Sequence, residues 1–249
     1  MTATRHFTFD LTGALARQLE AALPGLTQAP LTLDALEEVQ TAPGIYQLYL
    51  RGELIYIGKA DKSLRGRLTE HHKKVSGRLR ISIDDMSFTG LYLEGTWIPV
   101  GPEQMLINAR KQVTGAEPLW NTNGFGMNDP GRERDTTNFK DDHFDVMYPI
   151  DLGYVVESLG QRVYPVNQLL PVFKQRLPYL FRYENQWAKH PDYLASQVAI
   201  YQSPVTAAQV FEALINALPF GWQITALPGY VIMYKNIRSY PSAQLVFKR

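Results

Sequence analysis

The sequence predicts an α+β protein, and three observations lead to this fold class. Two short runs rich in aromatic and β-branched residues, 45–50 and 54–57, bracket Arg51-Gly52-Glu53, which is the pattern of a β-hairpin with glycine in its turn. Segment 86–93 has the composition of a third strand. Apolar residues recur every three or four positions in the flanking segments, as in amphipathic helices. These helical segments are 11–24, 64–74, 105–113 and 206–218.

Length and composition bound the function without specifying it. The chain has 249 residues, of which 45% are hydrophobic and 20% charged, enough for one substantial core or two modest ones. Its lack of cysteine excludes disulfides, thiolate zinc sites and cysteine nucleophiles, and fits a reducing cytoplasm. No apolar run reaches the length of a membrane span, and Asp10 interrupts the N-terminus too early for a signal peptide.

Changes in sequence pattern along the chain predict three parts. Residues 1–40 form a helical segment packed on the core. Residues 41–153 form a central domain, within which 122–150 is rich in Gly, Asn, Asp and Arg and is predicted to be a long loop. Residues 154–249 form a small α+β domain of unknown role. In this last part, 184–202 has helical tendencies, and the strands 222–227 and 230–234 are joined at Pro228-Gly229.

The hairpin places two tyrosines ten residues apart, and its register decides whether they meet. A two-residue loop would pair Tyr46 with Ile57 and put Tyr46 and Tyr56 on opposite faces. A three-residue loop would set Tyr46 against Gly58, so that both phenols share one face and Gly58 leaves room beside Tyr46. We expect the three-residue loop. Taken alone, the tyrosines fit ordinary sheet packing equally well.

The helix predicted after the hairpin concentrates positive charge. Segment 59–80 contains eight Lys or Arg against two acids, in a chain whose formal net charge is +1. Arg67 and His71 are four residues apart and therefore project from the same side of a helix. A solvated charged face explains such a helix by itself, but next to two tyrosines the pattern favours phosphate contacts. The cations predicted to bind DNA here are Lys62, Arg65, Lys73, Lys74 and Arg78.

A carboxylate and an amide follow on the next helical segment. Residues 99–102 lead into this helix, and Glu103 lies in its first turn, where an acidic side chain often serves only the helix dipole. A rigidly held carboxylate is also a hard oxygen ligand for Mg²⁺. Asn121 ends the segment Glu117-Pro118-Leu119-Trp120-Asn121 and has the alternative reading of a turn former.

The long loop contributes two further candidates for DNA contacts. Arg132 and Arg134 could reach base edges, because bidentate arginine to guanine is the commonest specific contact. An exposed loop with incidental arginines explains them as well.

The ordered set of motifs resembles the GIY-YIG nuclease superfamily. Its parts are Gly44-Ile45-Tyr46, Tyr56-Ile57-Gly58, an Arg-x-x-x-His helix, a helical Glu and a Pro-x-x-Asn segment, all in the expected order. The Pro-Leu-Trp-Asn run, with Gly124-Phe125-Gly126 and Asp129-Pro130-Gly131 after it, resembles the type II restriction endonuclease branch. The resemblance covers roughly residues 5–150.

The resemblance implies a three-stranded antiparallel sheet with flanking helices, and a role for each matching residue. Glu103 would hold a single metal ion, which would be Mg²⁺ or, as its substitute, Mn²⁺. Tyr46 would position or deprotonate the attacking water and His71 would accept its proton. Tyr56 would orient the scissile phosphate or share in proton movement. The other implied roles are a nonbridging oxygen contact for Arg67, a cation for Lys59 and steadying hydrogen bonds for Asn121. Arg65 competes with Arg67 and His72 with His71, and the four-residue spacing favours Arg67 and His71.

The implied function is restriction of double-stranded DNA in a bacterial cytoplasm. Such an enzyme would cut a palindrome as a homodimer, and a cognate DNA methyltransferase would protect the host. Two alternatives remain: a GIY-YIG nuclease of other use, in structure-selective repair, homing or defence, or a catalytically inactive DNA-binding module.

Overall fold

The computed structural model describes residues 11–93, 101–126, 131–157, 159–184 and 190–249. The chain divides into two compact units, the first made of residues up to 72 together with 83–123, and the second of 73–82 together with 124–249. The predicted domain boundary at residue 153 lies inside the second unit, which also takes in most of the predicted loop 122–150. Residues 99–100 and 129–130, which entered the sequence predictions, lie outside the described residues.

The first unit is built on an antiparallel sheet with the strand order β1-β4-β2-β3. Its strands are β1 (Ala29–Pro30), β2 (Gly44–Leu50), β3 (Glu53–Ala60) and β4 (Met86–Tyr92). Its helices are α1 (Leu11–Ala22), α2 (Leu33–Glu37), α3 (Leu64–Ser76), α4 (Pro102–Thr114) and α5 (Leu119–Thr122), and the last four residues of α3 belong to the second unit.

The three predicted strands are confirmed, and a fourth was missed. β1 pairs with β4 through Ala29 opposite Phe88 and Pro30 opposite Ser87. A strand of two residues has too few positions to show an alternating pattern, and proline lacks an N–H for the ladder and is confined to edges. The α+β class is therefore right, with one more edge strand than expected.

The hairpin has the expected register at its open end but not the expected loop. Leu50 pairs with Glu53, so the loop has two residues, Arg51 and Gly52, with φ of 50° and 82°. Both positive angles are those of a type I′ turn. The register then shifts between Leu48 and Tyr49, where a β-bulge restores the pairing of Tyr46 with Gly58. The three-residue loop was therefore wrong, whereas the pairing it was meant to explain is confirmed.

One face of this sheet is covered by helices. Leu19 of α1 and Leu106 and Ile107 of α4 pack in one cluster with Ile45 and Ile57 of the sheet. The predicted amphipathic helix at 11–24 thus covers the sheet through Leu19. Since side chains alternate along a strand, Tyr46 and Leu48 of β2 project from the opposite face.

The second unit is built on a mixed sheet with the order β12-β10-β11-β7, in which β7 runs parallel to β11. Its strands are β5 (Val155–Val156), β6 (Arg162–Pro165), β7 (Leu180–Tyr183), β8 (Gln197–Ile200), β9 (Val205–Thr206), β10 (Gln223–Ala226), β11 (Tyr230–Tyr234) and β12 (Leu245–Lys248). Its helices are α6 (Phe144–Met147), α7 (Val166–Arg176), α8 (Pro191–Ala195) and α9 (Ala207–Ala217). Two-stranded pairs join β5 with β9 and β6 with β8.

The predicted helix at 206–218 and the hairpin of β10 and β11 are confirmed. α9 begins with a capping box in which Thr206 and Gln209 satisfy each other's backbone N–H groups. The helical expectation for 184–202 is wrong for most of its described part, where only α8 is helical and β8 follows it. Among the described helices, none has the length and apolar run that a bilayer crossing would require.

Candidate active site

The paired strands bring both tyrosines to one face of the sheet. Tyr46 lies opposite Gly58, and Tyr56 lies opposite Leu48, so both project to the side away from α1 and α4. Their ring centroids are 6.0 Å apart. Tyr46 is fully buried and Tyr56 is 6% exposed. The expectation that the two phenols share a face is met.

His71 of α3 completes a compact aromatic group with these phenols. Its ring centroid lies 5.4 Å from that of Tyr46 and 5.6 Å from that of Tyr56. The Tyr46 hydroxyl is 2.6 Å from His71 Nε2, a buried hydrogen bond. His71 itself is 3% exposed. Burial lowers the pKa of His72, the competing candidate.

Gly58 leaves space that the phenols fill. A Cβ at this position would overlap the Cζ and hydroxyl oxygen of Tyr46 and would lie 2.6 Å from Cε1 of Tyr56. Real Cβ atoms do not approach other atoms so closely, so the absence of a side chain at Gly58 is what allows the two tyrosines to sit side by side.

Substituting Gly58→Ala is therefore expected to reduce both stability and any activity that depends on the phenols. The methyl group forces a ring or the strand to shift, and overpacking of this kind typically costs about 1–3 kcal/mol. Thermal unfolding and activity assays on the same preparation measure both effects. Gly25→Ala is the matched control, because its Cβ would meet nothing within 4 Å. Equal behaviour of the two variants would contradict the tight packing at Gly58.

Arg67, one turn before His71, is the arginine of the site. Its guanidinium lies close enough to Tyr46 and Tyr56 to lower the pKa of both phenols, and it pairs with Glu70 at 2.8 Å. Arg65 instead donates to the main-chain carbonyls of Glu37, the last residue of α2, and of Val39. The structure thus favours Arg67 over Arg65.

Burial controls the ionisation of the phenols. The pKa of Tyr46 is raised above its ordinary value, first by burial and next by Tyr56, and Arg67 lowers it only in part. The pKa of Tyr56 is also raised by burial and by Glu103. Burial thus outweighs the nearby guanidinium of Arg67. The phenol is neutral near pH 7.

Glu103 lies in the first turn of α4, which begins at Pro102 after the N-cap residue Gly101. Burial raises the pKa of its carboxyl, whereas Lys59 and Arg67 lower it and Asp61 raises it. Lys59 and Asp61 pair with each other at 2.7 Å. The carboxylate is thus within electrostatic reach of two cations and a second acid, and sequence reasoning missed Asp61.

The residues present fit a single Mg²⁺ rather than a closed protein cage. No group of three or more His, Asp or Glu suited to a metal exists among the described residues. Mg²⁺ is commonly held by one or two carboxylates, with waters and a substrate phosphate in its other positions. Glu103 suits this role because its carboxyl is half-buried, and the nearby cations Lys59 and Arg67 offset the effect of burial on its pKa only in part.

Asn121 of α5 holds the strand that carries Tyr56. Its Oδ1 accepts from the Ile57 N–H at 2.9 Å, and its Nδ2 donates to the Ile57 carbonyl at 2.8 Å. Both amide atoms thus bind the main chain between Tyr56 and Gly58. Asn121 is placed to fix the strand position rather than to reach a substrate.

The predicted DNA-binding cations divide into exposed and engaged residues. Lys62 is exposed, whereas in the second unit Lys73 donates to the Gln175 carbonyl at 3.1 Å. Lys74 donates to the Phe125 carbonyl and lies 5.0 Å from the centroids of the Phe125 and Phe144 rings.

Arg78 was predicted to contact DNA, but its side chain is buried. Its side chain is 3% exposed and pairs with Asp145 at 2.9 Å. It also donates to the carbonyls of Tyr148 and Pro228. A buried arginine paired in this way supports the interior of the second unit, so the prediction that Arg78 contacts DNA is wrong. In the same unit, Arg132 and Arg134 are exposed.

Comparison with known protein families finds a match over part of the chain. Residues 55–150 match the family model described as the Eco29kI GIY-YIG domain. No curated protein matches the chain. The match confirms the resemblance to the GIY-YIG superfamily and its type II restriction branch, and it supports a DNA endonuclease. Tyr56, Arg67, His71, Glu103 and Asn121 fall within the matched residues, and Tyr46 precedes them.

Proposed function

We propose that this chain, with its GIY-YIG segment, is a Mg²⁺-dependent, sequence-specific endonuclease of the restriction type that cuts double-stranded DNA in the bacterial cytoplasm. The observation that carries the proposal is the buried hydrogen bond of 2.6 Å between the Tyr46 hydroxyl and His71, with Arg67 close enough to lower the pKa of the same phenol. Packing alone does not require an imidazole, a phenol and a guanidinium to share one buried site.

His71 is the proposed proton acceptor for the phenol. Full burial keeps bulk water from the Tyr46 hydroxyl and raises its pKa, so a free phenolate is disfavoured. With Nε2 of His71 unprotonated, the hydroxyl can donate its proton to the imidazole while it takes one from the attacking water. The water oxygen then bonds to phosphorus, the bond to the leaving oxygen breaks, and that oxygen takes a proton from solvent.

Glu103 is the proposed metal ligand, and a bound Mg²⁺ would supply Lewis-acid neutralisation of charge on the phosphate. Lys59 lies close enough to Glu103 to lower its pKa and is proposed as a further cation of the site. Tyr56 is the more exposed of the two phenols and is proposed to orient the scissile phosphate. Mn²⁺ is expected to substitute for Mg²⁺.

Arg67 is proposed to stabilise the extra negative charge of the transition state, and Arg67→Ala is expected to lower kcat by about 10²–10³-fold, the range for loss of one such donor. Steady-state cleavage rates measure the effect. Arg65→Ala is the matched comparison on the same helix, because Arg65 bonds main-chain carbonyls instead of the phenols. A larger fall in kcat for Arg65→Ala than for Arg67→Ala would contradict the assignment.

Restriction of a palindrome implies a second copy of the chain. One site of this kind cuts one strand, so cutting both strands at symmetric positions calls for a homodimer with two-fold symmetry. A cognate DNA methyltransferase would then protect the host genome. Sedimentation of the chain with and without a duplex bearing its site tests the dimer.

Digestion of a fully sequenced plasmid in Mg²⁺, with the fragment ends mapped, tests the proposed function. Discrete fragments whose ends share a short sequence are expected. A smear, or cleavage confined to branched DNA, would instead support a nuclease of other use. DNA binding without cleavage in any divalent metal would support an inactive binding module.

A further inference from the structure

A buried carboxylate fixes part of the predicted loop onto the second unit's sheet. Asp135 is 2% exposed and lies in a short 3-10 turn, Arg132–Thr136. Its Oδ1 accepts from Arg182 Nη1 at 2.7 Å and from the Tyr230 hydroxyl at 2.9 Å. Its Oδ2 accepts from the Tyr234 hydroxyl at 3.1 Å. Asp135, Arg182, Tyr230 and Tyr234 together form the Asp135 network.

The Asp135 network joins the turn to one face of the sheet. Tyr230 and Tyr234 lie four residues apart on β11 and therefore share a face, and Arg182 of β7 is paired with Ile232 between them. A buried carboxylate is tolerated only when it is paired and hydrogen-bonded, and here both oxygens are satisfied. Displacing the turn would leave an unpaired buried charge on each side, so the turn has one preferred position.

Two further contacts hold the residues that follow the turn. Ser242 Oγ donates to the Thr137 carbonyl at 2.8 Å. Phe139 packs against the apolar cluster that contains Tyr230, Ile232 and Tyr240. The segment predicted as an extended loop is thus attached to the sheet by polar and apolar contacts from Asp135 to Phe139.

Arg132 opens this turn and is held by the same sheet. Its guanidinium carbon lies 4.1 Å from the centroid of the Tyr234 ring, and its side chain is 59% exposed. Tyr234 therefore has two separable roles: its hydroxyl binds Asp135 and its ring supports Arg132. Stacking on an aromatic ring orients the planar guanidinium while leaving its edge free to donate hydrogen bonds.

The surrounding charges favour a base edge over a phosphate as the ligand of Arg132. Glu184 lies 3.9 Å away, and the exposed Glu133 is the next residue in the chain. These two acids would repel a phosphate, whereas a guanine edge offers two acceptors without a formal charge. A fixed guanidinium also loses less conformational entropy on binding than a mobile one.

We infer that Arg132 reads a base pair in the DNA, and that Asp135 is the positioning residue that holds it in place through the network on the second unit's sheet. This rests on the proposed endonuclease function and gives the second unit a share in sequence specificity. The remaining predicted contact, Arg134, is exposed and is not held in this way.

The test is the specificity of purified variants on the mapped cleavage site and on a set of sites with one substituted base pair. The readout is the ratio of kcat/KM at the mapped site to kcat/KM at each substituted site. Arg132→Lys keeps the charge and loses the planar fork, so discrimination at one base pair is expected to fall by about 5- to 150-fold. Lys140→Ala, an exposed cation in the same segment, is the control with unchanged discrimination.

Variants of the network separate positioning from simple support of the fold. Asp135→Asn and Tyr234→Leu are expected to relax discrimination at the same base pair by lowering kcat/KM more at the original site than at the site with that base pair substituted, and Tyr234→Phe, which keeps the ring, is expected to lose less. A purely structural role would lower the folded fraction and leave the ratio unchanged. If Asp135→Asn does not fold, the discrimination measured for Arg132→Lys, Tyr234→Leu and Tyr234→Phe tests the inference.

Two failures are distinguishable. A parent protein that cuts at discrete sites, with Arg132→Lys and the Tyr234 variants keeping its full discrimination, overturns this inference alone. A parent protein that cuts without sequence preference, or not at all, overturns the proposed function as well.

Discussion

Tyr46→Phe is expected to lower the rate of cleavage by about 10²–10⁴-fold, the usual contribution of a positioned acid or base. The substitution keeps the ring that packs beside Tyr56 and His71, and it removes only the hydroxyl that lies 2.6 Å from His71 Nε2. The stability cost of leaving the imidazole nitrogen without this partner is about 1–3 kcal/mol. Single-turnover cleavage and DNA binding, measured on one preparation, separate chemistry from affinity.

Tyr49→Phe is the matched control on the same strand. Tyr49 lies three residues further along β2, on the other face of the sheet, and its hydroxyl donates to Gln47 Oε1 at 2.7 Å. The control therefore also loses a phenol hydroxyl with a partner inside the unit, yet it should cut at the parent rate. If the two variants lost activity to the same extent, the relay through Tyr46 would be wrong.

Glu103→Gln is expected to abolish nearly all Mg²⁺-dependent cleavage and at the same time to stabilise the fold. Loss of the charged ligand removes metal-assisted charge neutralisation, worth several kcal/mol, so the rate should fall by about 10³-fold or more. The sign of the stability effect follows from burial, which raises the pKa of the Glu103 carboxyl. The ionised form is disfavoured in the folded state, and glutamine avoids this penalty.

The pH dependence of this stability effect has a defined direction. A raised folded-state pKa contributes stability that is present below the unfolded pKa and is lost as the pH rises through the folded value. Without metal, Glu103→Gln should therefore unfold at a higher temperature than the parent near pH 7, and the gap should close near pH 4, below the ordinary carboxyl pKa of about 4.3.

Metal binding provides a second readout for the same substitution. Mg²⁺ should raise the unfolding temperature of the parent and leave that of Glu103→Gln unchanged. Lowering the pH should increase the Mg²⁺ concentration that cleavage requires, because protons compete for the same carboxylate. Glu117→Gln removes a partly exposed carboxylate that pairs with Lys111, and it should retain activity. A Mg²⁺-dependent stabilisation of Glu103→Gln equal to the parent's would contradict the metal assignment.

The candidate site could be predicted from the sequence because its groups lie on local elements with clear signals. Tyr46 and Tyr56 come from one hairpin, and Arg67 and His71 from one helix, so the spacing along the chain fixes their relative faces. The hairpin also shows the limit of such reasoning. By itself, its two-residue loop would put Tyr56 on the face opposite Tyr46. The bulge beside Tyr49, which no sequence signal marks, shifts the register so that Tyr46 pairs with Gly58 and both phenols share one face.

The basic run after the hairpin shows a second limit. The density of Lys and Arg along the sequence led to the same prediction, a DNA contact, for Lys62 and for Arg78. In the structure Lys62 is exposed, whereas Arg78 is buried against Asp145. The partner of Arg78 lies 67 positions away along the chain, and Asp135 meets Tyr230 across 95 positions. Contacts at such separations depend on the fold of the whole unit, and local patterns do not reveal them.

The most direct test of the central claim, that the phenol, imidazole and carboxylate of the first unit hydrolyse phosphodiester bonds, is the initial rate of plasmid cleavage by the parent and by Glu103→Gln. We predict that the parent cuts in Mg²⁺ and stops cutting in excess EDTA, and that Glu103→Gln does not cut in either. Cleavage by Glu103→Gln at the parent rate, or parent cleavage that persists in EDTA, would contradict the account.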